Sequence, residues 1–360
     1  MEIERMSGQA QGASPETWPK VAIIILNWNG WRDTIECLES ISKVDYPNLE
    51  LIVVDNASSD DSCQKIIDWC SQNNTVCRES FQSYPDLKIE PIEQIGYESQ
   101  EFRQLVLIRL SSNTGFCIGN NIGMMQAAID GAEHFLILNN DTVVSPSFLK
   151  PLVELAQKKE NVGLIGCLIC YANEPNKIWF AGGKFNEFLE SCRLLDGRNV
   201  KDISLDEVIE TDWVSGCAMF IPRKVYEEIG GFDEDFFIWS EEWDYSLRVK
   251  QAGYKLFIST RSLIYHKVGG TLGVMKPLSY YYGTRNRLLL KRKHLSFKKR
   301  ALFILFFVLS RIPRYIQFGL QGRWDLIRCG YAAIRDYFLG RTGKWDAHDE
   351  WFERQRIRSS

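Results

Sequence analysis

Residues 21–56 read VAIIILNWNGWRDTIECLESISKVDYPNLELIVVDN. The run Val21 to Leu26 is continuously apolar and stops at Asn27-Trp28-Asn29-Gly30. A helical pattern follows, with Cys37, Leu38, Ile41 and Val44 on one face, and a second apolar run, Leu49 to Val54, stops at Asp55. Strands that are apolar on both faces belong to sheets covered by helices, whereas half-solvated strands alternate. The strand–helix–strand rhythm therefore predicts a parallel sheet.

The rhythm continues outward. The small polar residues Asp55-Asn56-Ala57-Ser58-Ser59-Asp60 suit a turn and a helix N-cap before Ile66 to Cys70. Val106 to Leu110 reads as a strand leading into Asn113-Thr114-Gly115-Phe116, with Asn120-Asn121-Ile122-Gly123 opening another helix. Phe135 to Leu138 is a fourth strand, ending in Asn139-Asn140-Asp141-Thr142. Strand ends at Asp55, Asn113 and Asp141 gather polar residues at the carboxyl edge, where open α/β sheets bind ligands. Residues 71–104, polar and carrying Pro85 and Pro91, break the rhythm and are expected to be an insertion with little regular structure. Beyond Asp141, shorter apolar runs at 163–171, 179–185 and 213–221 predict mixed or antiparallel strands. A helix is expected over Glu241 to Ala252, closed by Gly253.

With 45% hydrophobic and 25% charged residues, the 360-residue chain is globular rather than disordered, and large enough for one big domain with an appendage. The net charge of −3 hides a basic run without acids, Lys291, Arg292, Lys293, Lys298, Lys299 and Arg300, which calls for an anionic partner. Of the ten cysteines only Cys167 and Cys170 form a C-x-x-C, and with no second pair this argues against structural zinc. Residues 1–19 are polar, expected to be disordered, and lack the charged start and apolar run of a secretory signal, so a cytoplasmic location is expected.

Three segments carry candidate chemistry. Asp141 lies just past a buried-type strand and reads either as a turn aspartate or as a carboxylate free to reach a divalent cation. Phe236-Phe237-Ile238-Trp239-Ser240-Glu241-Glu242-Trp243-Asp244 sets three carboxylates at a helix start, where Ser240 suits the cap, the acids suit the helix dipole, and Asp244 is placed to pair with Arg248. His266, followed by Lys267-Val268-Gly269-Gly270, is either a structural histidine or one that approaches a metal or phosphate.

In order along the chain, Asn27-Trp28-Asn29-Gly30, Val53-Val54-Asp55-Asn56-Ala57-Ser58, Asn113-x-Gly115-Phe116-x-x-Gly119-Asn120-Asn121-x-Gly123, Leu138-Asn139-Asn140-Asp141-Thr142, Gly230-Gly231-Phe232-Asp233 and Glu241-Glu242 resemble a family 2 glycosyltransferase of the rhamnosyltransferase-like branch, over residues 21 to about 290. The resemblance implies a GT-A fold: α/β, with a Rossmann-like, mostly parallel sheet and helices on both sides. It divides residues 20–280 into a nucleotide-binding half (20–142) and an acceptor-binding half (143–280). It implies donor contacts from Asn27, Asn29, Asp55, Asn56, Asn113, Gly115, Asn121 and Asn140, with Asp55 accepting from uracil or thymine. The usual Asp-x-Asp metal motif reads Asn139-x-Asp141 here, so Asp141 with His266 would hold Mn²⁺ or Mg²⁺, the imidazole leaning toward Mn²⁺. Glu242, or its neighbour Glu241, would be the base that activates an acceptor hydroxyl for inverting transfer, with Trp213, Trp239 and Asp244 on the acceptor side. The implied partners are a dTDP- or UDP-sugar, with rhamnose the candidate sugar, and a glycan or lipid-linked acceptor for cell-surface polysaccharide or glycoconjugate synthesis, with no nucleic acid.

Two other classes fit parts of the pattern. A sugar nucleotidyltransferase needs a glycine-rich basic loop where Asn27-Trp28-Asn29-Gly30-Trp31 stands. An inactive nucleotide-sugar-binding module would explain Asn139 and Glu242 but not the retention of Asp141, Glu241, Glu242 and His266. Residues 281–360 are expected to be a helical appendage in which Arg285-Asn286-Arg287 either clamps a diphosphate or sits on a solvated basic face. Ala301 to Leu309, nine apolar residues before Arg311, is too short to span a bilayer, which needs ~20, and is expected to lie in an anionic membrane interface at the inner face of the cell membrane.

Overall fold

The structure, a computed structural model, describes residues 18–82, 103–268, 276–345 and 347. In chain order the elements are β1 (Val21–Asn27), α1 (Trp31–Ile41), β2 (Leu49–Asp55), α2 (Ser62–Gln72), β3 (Thr75–Gln82), β4 (Arg103–Leu110), α3 (Gly115–Ile129), β5 (His134–Asn139), β6 (Thr142–Val144), α4 (Leu149–Lys158) and β7 (Val162–Tyr171). There follow β8 (Ile178–Phe180), β9 (Gly183–Phe185), β10 (Ser191–Arg193), β11 (Val208–Thr211), β12 (Ala218–Pro222), α5 (Arg223–Ile229), α6 (Glu241–Gln251), β13 (Lys255–His266), α7 (Pro277–His294), α8 (Phe297–Leu320) and α9 (Trp324–Phe338).

Eleven strands share one sheet, ordered β11-β13-β7-β12-β5-β1-β2-β4-β3 along its main path. From β3 to β5 every pairing is parallel, as the continuous apolar runs predict. β12 then runs antiparallel to both β5 and β7, so the second half is mixed. The register matters for function: Asn27 pairs with Asp55, and Leu26 with Asn139, so the polar ends of β1, β2 and β5 emerge together at one edge. Helix α3 lies close over these strands because Gly119 and Gly123 face Leu26 and Ile24, where any Cβ would collide.

Two segments are more ordered than their composition suggests. Within 71–104, Thr75–Gln82 forms a full edge strand parallel to β4, because Val76 and Cys77 can pair with a neighbour whatever lies beyond; residues 83–102 lie outside the described residues. Of residues 1–19, Trp18 packs edge-on against Tyr46, whose hydroxyl donates to the Pro19 carbonyl at 2.6 Å; residues 1–17 lie outside the described residues.

The C-terminal helices differ more. Leu289 and Leu290 of α7 join the main core, and Tyr280, Tyr281 and Tyr282 form a second core with Phe237 and α9. Arg285 and Asn286 are 1% and 0% exposed, and Arg287 pairs with Glu190, so this triplet is neither a solvated face nor a diphosphate clamp. Two members of the basic run find their anions inside the protein: Lys291, fully buried, reaches Glu190 at 2.8 Å, and Lys293 bridges Asp233 and Asp235 at 2.7 and 2.6 Å. Helix α8 extends well past Leu309 to 24 residues, long and apolar enough by length and composition to cross a membrane. Its one face, with Phe303, Phe307 and Phe318, is buried on the neighbouring helices, while Leu302, Leu305, Phe306, Leu309, Ile312 and Ile316 are exposed.

Candidate active site

At the carboxyl edge the polar strand ends first satisfy one another. Asn27 donates from Nδ2 to Asp55 Oδ2 at 2.7 Å and accepts at Oδ1 from Thr34 at 2.8 Å. Asp55 also accepts from the Ser58 hydroxyl and amide at 2.7 and 2.9 Å. Asn140 donates to Thr34 Oγ1 at 3.0 Å. Asn29, exposed and in left-handed backbone (φ 50°), clasps Ser58 and Ser59. Asn56 accepts from Thr114 N–H at 2.8 Å and donates to the Gly115 carbonyl at 3.1 Å, which fixes the turn that starts α3. Asn113 caps that turn by accepting from Gly115 N–H. Asn121 donates to the Phe232 carbonyl and accepts from its N–H. These residues form a rigid cradle in which Asn27, Asp55 and Asn56 are almost fully buried. Sequence position brings them to the edge; it does not reveal that Thr34 and Ser58 stitch them together.

Beside this cradle β13 pairs antiparallel with β6, placing His266 opposite Thr142. Asp141 Oδ1 and His266 Nε2 approach to 3.2 Å, and Lys267 N–H donates to the Asp141 carbonyl at 3.0 Å. Asp141 Oδ1 and His266 Nδ1 are buried atoms without a hydrogen bond. Buried polar atoms are nearly always satisfied, so the orphaned Asp141 Oδ1, which faces His266 Nε2, suits a missing ligand. Among the described residues no group of three metal-ligating side chains gathers. The pair therefore fits a divalent cation that takes its remaining oxygens from a substrate and water. The Trp179 ring packs edge-on against His266 at 4.6 Å and holds its plane. Lys267 turns away to Asp33 and Glu36 at 2.7 and 2.6 Å. The Gly269-Gly270 loop after it lies outside the described residues.

The third element is the start of α6. Ser240 sits at the N-cap position but in left-handed backbone (φ 73°), and its side chain makes no cap hydrogen bond. Glu241 is 5% exposed with Oε2 unsatisfied; burial, then the neighbouring Glu242 charge, pushes its carboxyl well above the ordinary range. Glu242 keeps some solvent contact, yet the protein packed round its carboxyl pushes it up to about 7 against the pull of two backbone hydrogen bonds. Its Cβ lies over Gly216, beside Phe116, and the adjoining Cys217 carbonyl accepts from Asn139 N–H at 2.9 Å. The base candidate is thus tied to the end of β5, two residues before Asp141.

The acceptor-side residues divide. Asp244 is 1% exposed and committed to Arg248 and His294, both at 2.8 Å, so it braces α6 against α7 rather than facing an acceptor. Trp213 is buried between Phe180 and Trp243. Trp239 remains exposed at the mouth of the α6 turn.

The family described as "Glycosyltransferase like family 2" matches residues 19–276, which contain the cradle, the Asp141–His266 pair and the Glu241-Glu242 turn. The chain belongs to this glycosyltransferase family. Among similar proteins, this glycosyltransferase is 23% identical over 202 residues to a dTDP-rhamnosyl transferase of Shigella flexneri, covering 54% of this chain and 65% of that one. It is 26% identical over 239 residues to a low-salt glycan biosynthesis hexosyltransferase of Haloferax volcanii, covering 64% and 62%. A match to an O-antigen biosynthesis protein of Myxococcus xanthus, 29% identical, covers 41% of this chain and 12% of that one. The glycosyltransferase thus spans less than two thirds of the length of these relatives. Its fold matches GalNAc-T7, solved with UDP, GalNAc and Mn²⁺, at a TM-score of 0.52 and 16% identity, over 83% of this chain and 59% of that one. The architecture is a GT-A fold with a C-terminal helical region.

Proposed function

We propose that this glycosyltransferase moves a sugar, with inversion, from a dTDP- or UDP-linked donor to a hydroxyl of a glycan or lipid-linked acceptor, and that Glu242 is the base. The observation that carries this reading is Glu242 itself. It is the carboxylate of the α6 turn that keeps solvent contact, and its raised pKa, about 7, matches the value at which a base works best near neutral pH. Glu241, more deeply buried and with its carboxyl pushed well above the ordinary range by burial, supports the turn instead.

The Glu242 carboxylate takes the proton as the acceptor oxygen forms its bond to the anomeric carbon. The bond from that carbon to the diphosphate breaks on the opposite face, and the electron pair leaves with the nucleoside diphosphate. Asp141 and His266 would hold a Mn²⁺ or Mg²⁺ ion, which when bound supplies positive charge against the departing diphosphate. Asn29, Asn113 and the cradle around Asp55 are assigned to the nucleotide and ribose. The name of the Shigella flexneri relative favours dTDP-rhamnose as the first donor to test. The exposed apolar face of α8 supports a peripheral seat at the cytoplasmic face of the membrane, where a lipid-linked acceptor is presented.

A panel of dTDP- and UDP-sugars with Mn²⁺ tests the reading, by nucleoside diphosphate released and by the anomeric configuration of the product. Turnover that survives intact in both Asp141→Ala and Glu242→Gln sinks the site assignment. Binding of donor with no turnover under any acceptor would favour an inactive nucleotide-sugar-binding module.

A further inference from the structure

The turn that presents Glu242 is held from outside the family-matched segment. Trp239 and Ser240 are consecutive non-glycine residues in left-handed backbone, at φ 75° and 73°. Such residues persist only where their surroundings over-determine them. The restraint comes from α7. Asn286, 0% exposed, donates both hydrogens of Nδ2, to the Ile238 carbonyl at 2.7 Å and to the Trp239 carbonyl at 2.9 Å. Its Oδ1 accepts from Arg285 Nε at 3.0 Å, which decides which end of the amide faces the turn. Arg285 is itself pinned, with Nη2 donating to the Gly343 carbonyl at 2.7 Å and its guanidinium lying by the rings of Tyr281 and Tyr282. One residue upstream, the Phe237 carbonyl accepts from Phe116 N–H at 2.8 Å. Three successive carbonyls, 237 to 239, are therefore held: the first by α3 and the next two by Asn286.

We propose that Asn286 is a positioning residue for the base: it keeps Trp239 and Ser240 left-handed so that α6 starts with Glu242 over Gly216, and the C-terminal helix α7 is thereby part of the active site. The proposal rests on the assignment of Glu242 as base. An asparagine is the fitting side chain, because two adjacent carbonyls need two donors from one planar group. Aspartate, of equal size, would set a carboxylate against both carbonyls.

The experiment compares wild type, Asn286→Ala, Asn286→Asp, Glu242→Gln and the pair Asn286→Ala/Ser240→Gly. Turnover is read as nucleoside diphosphate released from dTDP-rhamnose or UDP-glucose, whichever the wild type uses faster, and donor affinity by thermal shift. The expected result is a fall in kcat of about 100-fold in Asn286→Ala and Asn286→Asp, the loss typical of a misplaced catalytic group, with donor KM within about threefold of wild type. The pH at which kcat/KM is half-maximal also moves from the wild-type value, as Glu242 changes surroundings. Ser240→Gly recovers part of the kcat lost in Asn286→Ala, since glycine adopts positive φ without help. Wild-type kcat in both Asn286 variants, with Glu242→Gln inactive, overturns the proposal while leaving the base assignment intact. Full activity in Glu242→Gln overturns the base assignment instead. If Asn286→Asp fails to fold, Asn286→Ala and its Ser240→Gly partner decide: a kcat that falls while donor KM rises, with no shift of the pH profile and no rescue, makes Asn286 merely structural and overturns the proposal.

Discussion

Asp141 Oδ1 lies 3.2 Å from His266 Nε2, although 124 residues separate the two along the chain, and that same Oδ1 is a buried atom without a hydrogen bond. The antiparallel pairing of β6 with β13 enforces this closeness, so the pair exists before any ligand arrives. If Asp141 and His266 are the proposed ligands, they are two rather than a closed set, and a cation there is expected to be held largely by the donor diphosphate. Mn²⁺ alone should therefore raise the unfolding temperature little, and Mn²⁺ with dTDP or UDP much more, because ligands that bind only the folded state stabilise it by mass action. Asp141→Ala is expected to abolish the metal-dependent increment. His266→Ala, losing one ligand, should raise the Mn²⁺ needed for half-maximal turnover by at least about tenfold. An undiminished increment in Asp141→Ala refutes the assignment.

With Glu242 as the proposed base, its carboxyl should set the pH dependence. The base must be ionised, so kcat/KM is expected to rise with pH through about 7 and to level off above it. Stability runs the other way. A carboxyl whose folded pKa lies above its unfolded value stabilises the fold while protonated, and that contribution is lost as pH rises through the folded pKa. Glu242→Gln removes the titration. It should be inactive, and its melting temperature should exceed that of wild type at pH 8 while nearly matching it at pH 5. A pH profile of activity that is flat between those values would remove Glu242 from the role of base.

Gly115 was expected to face the donor, and the structure gives it a different duty. It sits at φ 82°, and a Cβ there would come 2.5 Å from both the Phe237 ring and the Phe237 carbonyl. Gly115→Ala is therefore expected to cost roughly 2–4 kcal/mol in urea denaturation, from strain and overlap together. It should also lower kcat, because Phe237 opens the turn that leads to Glu242. Wild-type stability in this variant would mean the turn yields freely.

The sequence made the parallel half legible because buried strands and the glycines of α3 leave strong local signals: Val21 to Leu26 cannot be a solvated strand, and Gly119 and Gly123 are spaced for close packing. Asp141 is legible as a carboxylate with no packing duty past its strand, whereas His266 and Glu242 stand out only through the family resemblance. Interactions between distant side chains were not. Nothing local says that Asp55 is occupied by Asn27 and Ser58, or that Asp244 turns from the acceptor side to His294 of α7. Arg285-Asn286-Arg287 shows the same limit: basic residues usually mark a solvated face, and only the fold shows Tyr281, Tyr282 and Glu190 waiting to receive these. The edge strand β3 leaves no such signal, because its polar residues alternate with few apolar ones and its partner lies across residues 83–102.

Helix α8 yields the last prediction. Its length would permit a span, but Phe303, Phe307 and Phe318 are packed on the folded domain, and Arg311 and Arg314 lie over Phe307 and over Tyr280 and Phe318. A helix so engaged along one face cannot be surrounded by lipid, whereas its opposite face, Leu302, Leu305, Phe306, Leu309, Ile312 and Ile316, is free to enter the headgroup region. Exposed Lys298 and Lys299 at its start, and Arg328 and Arg335 on α9, favour an anionic surface. The protein is expected to float with vesicles containing phosphatidylglycerol, less with phosphatidylcholine alone, and to be released by alkaline carbonate as a spanning protein is not. Leu305→Glu with Ile312→Glu should abolish flotation while leaving turnover of a soluble acceptor unchanged. Lys298→Glu with Lys299→Glu should weaken it by about 1 kcal/mol for each charge removed, an effect that fades as salt is raised. Flotation that is indifferent to all four substitutions would assign the apolar face to a protein partner, and sedimentation of the free enzyme as a dimer that Leu305→Glu dissolves would identify that partner as a second copy.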